Sequence, residues 1–106
     1  MKKFQAIIRF TMDEQFMSFV PPHRTYINYL ITKGIIETYA VSMESQTCWI
    51  TINTESKSEA DSYITKSPLY KYWTYEIEEL FVVIEVIGST TNLLIYVENN
   101  RIRPDF

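Results

Sequence analysis

The chain has 106 residues, 46% of them hydrophobic, enough for a single globular domain whose core needs neither disulfides nor a structural metal. Its one cysteine, Cys48, excludes an internal disulfide and a thiolate zinc site, and a net charge of −3 leaves no basic field for nucleic acid phosphates. The opening "MKKFQAIIRFTMDEQ" is interrupted by Gln5 and Arg9 and lacks the continuous apolar stretch of a signal peptide; the longest apolar run, "LFVVIEVI" at 80–87, is too short to span a bilayer. The expected setting is the cytoplasm, with neither a membrane nor nucleic acid as partner.

Residues 4–11, "FQAIIRFT", alternate, which predicts a first strand with Phe4, Ala6, Ile8 and Phe10 on one face and Gln5, Ile7, Arg9 and Thr11 on the other. A helical segment follows from about Asp13, carrying Phe16, Met17 and Val20 on one side. Pro21 and Pro22 interrupt it, and Pro22 suits the first position of a fresh helix. That helix has the stripe Tyr26, Ile27, Leu30 and Ile31, and Gly34 supplies its stop, so a kinked or two-part helix is expected.

"IIETYAVSM" (35–43) and "TCWITINT" (47–54) flank the short polar turn "ESQ" and predict an antiparallel hairpin. Cys48 lies in this strand pattern, where a small buried hydrophobe is the ordinary reading. "SKSE" at 56–59 is a capping box that opens a second helix; it runs to about Lys66, buries Ala60, Tyr63 and Ile64, and is stopped by Pro68. After the aromatic loop "SPLYKYWTY", the segment "YEIEELFVVIEVI" (75–87) reads as a fourth strand, and "LLIYV" (93–97) as a fifth, short one.

The order β-α-β-β-α-β is the ferredoxin-like arrangement, an α+β fold with a four-stranded antiparallel sheet and both helices on one face. With Phe4, Ala6, Ile8, Phe10, Cys48, Ile50, Ile52, Leu80, Val82 and Ile84 toward the helices, the other face carries Ile7, Arg9, Trp49, Thr51, Phe81, Val83 and Glu85. The second strand adds either Tyr39, Val41 and Met43 or their smaller neighbours. So apolar a face predicts a homodimer, sheet against sheet. A fourth strand of thirteen residues would run to about 43 Å and overhang its own sheet; the alternative is a bend or bulge near Glu78–Leu80. The segment 93–97 is too apolar to dangle; it can fold back antiparallel or cross to a partner, and the overhang favours an edge strand at the subunit boundary, with 88–106 as an extension there.

Two stretches carry a family likeness. "PPHRTYINYLITKGII" and "SKSEADSYITKSPLYKYWTYEIEEL" resemble the dimeric α+β barrel superfamily, in particular its muconolactone isomerase-like and YCII-related branch, over about residues 3 to 87. The resemblance implies that His23 stands at the histidine of a His–Asp pair and that Ser67 stands where the aspartate would be. It also implies proton transfer on a small molecule, without a carboxylate at Ser67 to hold an imidazolium.

His23 has two readings: a neutral base at a helix start, where the positive helix end disfavours imidazolium, or a partly buried histidine satisfied by a nearby carbonyl or hydroxyl. With no carboxylate in view the second is preferred. Arg9 and Glu85, on the first and fourth strands, form either an anion-binding or proton-abstracting pair or an ion pair at the dimer seam. Trp49, Tyr39, Tyr70, Tyr72 and Trp73 form either an aromatic ligand pocket or core and interface. Glu76, Glu78 and Glu79 read as solvated edge charges. The only glycines are Gly34 and Gly88, too few for a phosphate loop, and neither a cofactor nor a metal is expected. Two functions follow: a homodimeric small-molecule-binding protein with weak or no proton transfer, or a cofactor-independent isomerase or lyase with His23 as base.

Overall fold

The computed structural model describes residues 1–87, 93–98 and 101–102, with side chains described through residue 84. Strand β1 (Lys2–Phe10) lies inside the sheet and buries Phe4, Ala6, Ile8 and Phe10, as its alternation predicts. It pairs antiparallel with β3 (Thr47–Thr54) and with β4 (Trp73–Glu79), and β2 (Ile36–Ser42) adds to the outer side of β3, giving the order β2-β3-β1-β4. This is the ferredoxin-like α+β fold.

The chain leaves β1 through a 3₁₀ turn, Phe16–Phe19, which is opened by Asp13: its carboxylate accepts the backbone N–H groups of Gln15 at 2.9 Å and Phe16 at 3.0 Å. Helix α1 (Val20–Thr32) starts directly after it. The two prolines fall in its first turn, where an N–H has no helical acceptor, so they admit the helix that follows. The break expected at Pro21 therefore lies one residue earlier, between a 3₁₀ turn and an α-helix. His23, Ile27 and Leu30 recur at helical spacing on the buried side. The helix ends in a Schellman arrangement, with Gly34 at φ +77, its N–H on the Ile31 carbonyl and the Ile35 N–H on the Leu30 carbonyl, each at 3.0 Å.

Gln46, at φ 50, closes the β2–β3 hairpin, and the extra residue Glu37 makes a bulge where the register slips between Ile36 and Thr38. Helix α2 (Lys57–Thr65) opens on the predicted cap: Ser56 Oγ accepts the Glu59 N–H at 3.1 Å. Its Ala60 and Ile64 join Ile27 and Leu30 of α1 over Ile50 and Ile52, forming the main core. A smaller cluster of Phe10, Phe16 and Leu69 closes one end of the domain.

The fourth strand does not run on unbroken to Ile87; it bends near Glu78–Leu80. The Phe4–Glu79 pair and a 2.9 Å bond from Leu80 N to Lys3 O are the last links of β4 to the sheet, although Lys2 and Lys3 of β1 go on pairing with β3. The chain then breaks, and β5 (Val83–Ile87) pairs antiparallel with β6 (Leu93–Glu98), which also pairs with β7 (Arg101–Ile102) in a second, three-stranded sheet. Residues 93–97 thus form a strand, and of the two courses open to them they fold back on their own chain. The tail at 103–106 lies outside the described residues.

Leu80, Val82 and Ile84 consequently do not face the helices; with Val83 they line a groove against Gln5, Thr38 and Thr51, and Ile84 is 47% exposed. Thr51 is buried at 8% although it belongs to the sheet face away from the helices. That face keeps Ile7, Arg9 and Trp49, but its β4 members are Thr74, Glu76 and Glu78, and its β2 members are Thr38, Ala40 and Ser42. It is more polar than a fourth strand running on through Phe81, Val83 and Glu85 would have made it. Among the described residues, no helix is long and apolar enough to cross a membrane.

Candidate functional site

A cavity of about 230 Å³ opens between the start of α1, the 3₁₀ turn and the helix-facing side of the sheet. Its walls are apolar, chiefly Phe10, Phe16, Val20, Leu69 and Trp73, with Met12, Met17 and Met43 also contributing. Four lining residues carry chemistry: His23 and Arg24 from α1, Tyr39 from β2 and Cys48 from β3.

His23 is 2% exposed, and both ring nitrogens are engaged. Nδ1 lies 2.7 Å from Ser67 Oγ and Nε2 lies 2.8 Å from the Tyr39 hydroxyl. The ring also meets Trp73 edge-on, with centroids 5.5 Å apart and an interplanar angle of 87°. Ser67 is itself held, since its Oγ accepts the Leu69 N–H at 3.0 Å in the corner that follows α2. Helix α1 supplies the histidine because the buried stripe of Ile27 and Leu30, continued four residues backward, turns His23 inward.

Burial, with a smaller contribution from the Arg24 guanidinium, pulls the His23 pKa down from 6.5 to about 4, so the imidazole is neutral at neutral pH. Burial likewise pushes the Tyr39 phenol above its usual value, so it stays protonated. The Cys48 thiol, 3% exposed, is pushed up to about 11 by the same cause, so little thiolate is available for attack. The site is therefore a chain of neutral hydroxyl and imidazole groups at the edge of an apolar cavity.

The structure brings together three of the residues singled out from the sequence: His23, Ser67 and Tyr39. Ser67, at the aspartate position of the resemblance, touches the imidazole and offers it a hydroxyl in place of a carboxylate. The other three lie elsewhere. Trp49 sits opposite Ile7 and Ala40 on the sheet face away from the cavity, because strand parity puts it one step out of phase with Cys48. Arg9 is exposed on that same face, opposite Thr47 and Thr74. Glu85 belongs to β5, in register with Ile95 of the second sheet, and its side chain is outside the described residues. Arg9 and Glu85 belong to different sheets, Arg9 to the four-stranded one and Glu85 to the three-stranded one.

Of the loop aromatics, Trp73 reaches the cavity, Tyr72 packs edge-on against Phe16 at 5.3 Å, and Tyr70 lies against Tyr75. Sequence reasoning missed Arg24 and the methionines as lining residues. The one local signal for Arg24 was its place next to His23 at a helix start. Among the described residues, no group of three or more histidine, cysteine or acidic side chains could hold a metal ion.

No family model matches this chain, and no curated protein matches it. Among solved structures, it is similar to 5-chloro-2-hydroxyhydroquinone dehydrochlorinase (TftG) from Burkholderia phenoliruptrix AC1100, determined in complex with 2,5-dihydroxybenzoquinone. The match has a TM-score of 0.54 at 14% identity and covers 73% of this chain and 92% of the other. At that identity the likeness is one of fold.

Proposed function

We propose that the cavity binds a small single-ring compound bearing an oxygen substituent, and that the protein works as a homodimer of the muconolactone isomerase-like and YCII-related kind. The observation that carries the binding reading is the His23–Tyr39 pair, linked at 2.8 Å and lining, with Arg24 and Cys48, a largely apolar cavity of about 230 Å³. Dry apolar cavities of about 150 Å³ already accept benzene, so this volume suits one substituted ring. The compound in complex with the structural neighbour, 2,5-dihydroxybenzoquinone, is an oxygenated ring of this kind. The sheet face away from the helices, with the half-buried Ile7 and Trp49 side by side, supports the dimer, whose interface should exceed about 1,200 Å² in total. The segment 88–106 is then an extension at the subunit boundary.

The test is an NMR titration of the full-length protein with 2,5-dihydroxybenzoquinone and with a single-ring lactone, observing the His23 ring. Saturable binding that moves the His23 signals is expected. Absence of any shift with both compounds up to roughly 1 mM would reject the site.

A second reading, proton transfer by an isomerase or lyase, is favoured by one observation: burial keeps the imidazole neutral at neutral pH, and this reading requires the Nδ1–H tautomer, with Nε2 as the accepting nitrogen. Solvent deuterium entering the bound compound next to its carbonyl, and lost in His23→Gln, would establish it. Binding without exchange would leave a binding protein.

A further inference from the structure

We infer that Ser67 locks His23 in a single tautomer, so that the cavity presents the Tyr39 hydroxyl as a hydrogen-bond donor, and that the ligand brings an acceptor oxygen to it: a ring carbonyl or an ionised hydroxyl. The second half rests on the cavity being the ligand site; the first does not.

The direction follows from counting hydrogens. Ser67 Oγ accepts the Leu69 N–H at 3.0 Å and lies 2.7 Å from His23 Nδ1. A hydroxyl has one hydrogen to give. Were Nδ1 protonated, the Ser67 oxygen would accept twice, and its own hydrogen would have no partner among the described residues. Ser67 is buried at 6%, where a stranded donor is costly. The arrangement that leaves nothing stranded has the Ser67 O–H donating to an unprotonated Nδ1. A neutral imidazole then carries its hydrogen on Nε2, which donates to the Tyr39 oxygen at 2.8 Å.

Tyr39 is left with a hydrogen directed away from His23. Near it on the cavity wall is the Cys48 sulfur, a weak acceptor that a ligand oxygen readily replaces. A ligand group that only donates would leave that hydrogen unused and find only the remaining lone pair of an oxygen that already accepts from Nε2. Arg24 brings a positive charge to the same cavity and favours an ionised oxygen over a neutral one. Ser67 is thus a positioning residue, acting on the ligand through His23 and Tyr39.

The chain has one histidine, so ring ¹⁵N shifts of the labelled full-length protein read the tautomer without ambiguity. The Nε2–H form is expected in the wild type, a mixture in Ser67→Ala, and reversal to Nδ1–H in Ser67→Asp, whose carboxylate can only accept. An Nδ1–H wild type, or a Ser67→Ala protein with unchanged tautomer, overturns the lock. For the ligand, acetophenone is compared with its isostere α-methylstyrene, which lacks the acceptor. Acetophenone should bind about fivefold tighter, and that margin should vanish in Tyr39→Phe. Equal binding of the two overturns the donor role while leaving the cavity a ligand site. Binding of neither overturns the site and the ligand half together, and the tautomer measurement then judges the lock alone.

Discussion

Acid should destabilise this fold by about 3 kcal/mol through one side chain. His23 has a folded-state pKa near 4 against an ordinary value of 6.5, the result of burial first and of Arg24 second. Between those two values the unfolded chain takes up a proton that the folded chain refuses, so stability is complete above about pH 6.5 and falls as the pH drops toward 4. At about 1.4 kcal/mol per pKa unit the loss at about pH 4 comes to about 3 kcal/mol, a large part of the stability of a domain this size. The assay is urea unfolding of the wild type and of His23→Gln, at about pH 7 and about pH 4. Glutamine keeps an amide in the site but does not titrate. The carboxylates that protonate over the same range contribute equally to both proteins and cancel in the difference. The margin of wild type over variant should shrink by about 3 kcal/mol on acidification. A margin constant to within about 0.5 kcal/mol would refute the reasoning, as would an NMR titration placing His23 above 6.5, since that would require an anionic partner.

Gly34→Ala should destabilise by about 1 kcal/mol: a Cβ there meets nothing within 4 Å, so the penalty is that of the left-handed backbone at φ +77 alone, read as a shift in the urea midpoint. Ser56→Ala should cost about 1 kcal/mol by removing the cap on the Glu59 N–H, and Ser56→Asp should restore most of it. If the proposed dimer forms through the sheet face, Ile7→Asp, opposite Trp49, should shift sedimentation toward monomer, because association would bury an unpaired charge; sedimentation unchanged from wild type would reject that face as the interface.

The local elements follow directly from the order of residues. Alternation in "FQAIIRFT" set which side of β1 is buried, the serine and glutamate at 56 and 59 set where α2 begins, and Gly34 set where α1 ends. Each rests on interactions spanning four or five residues, so a linear reading captures it. The ferredoxin-like order was legible for the same reason. His23 could also be placed on the inward stripe of its helix from spacing alone, and Ser67 was reached through the family resemblance. Only the tertiary structure decided what the histidine touches: its partners lie 44 and 16 residues away, on a loop and a strand whose approach depends on how α1 and α2 pack over the sheet. The same holds for the fourth strand. Residues 75–87 allowed either one long strand or a bend near Glu78–Leu80, and the last sheet links of β4, at Glu79 and Leu80, show that the chain bends there. That bend put Glu85 in a different sheet from Arg9, while strand parity turned Trp49 away from the cavity that Cys48 lines. Side-chain type and spacing determine faces; which faces meet is settled by strand register and by the packing of distant elements, where unsatisfied backbone groups find partners.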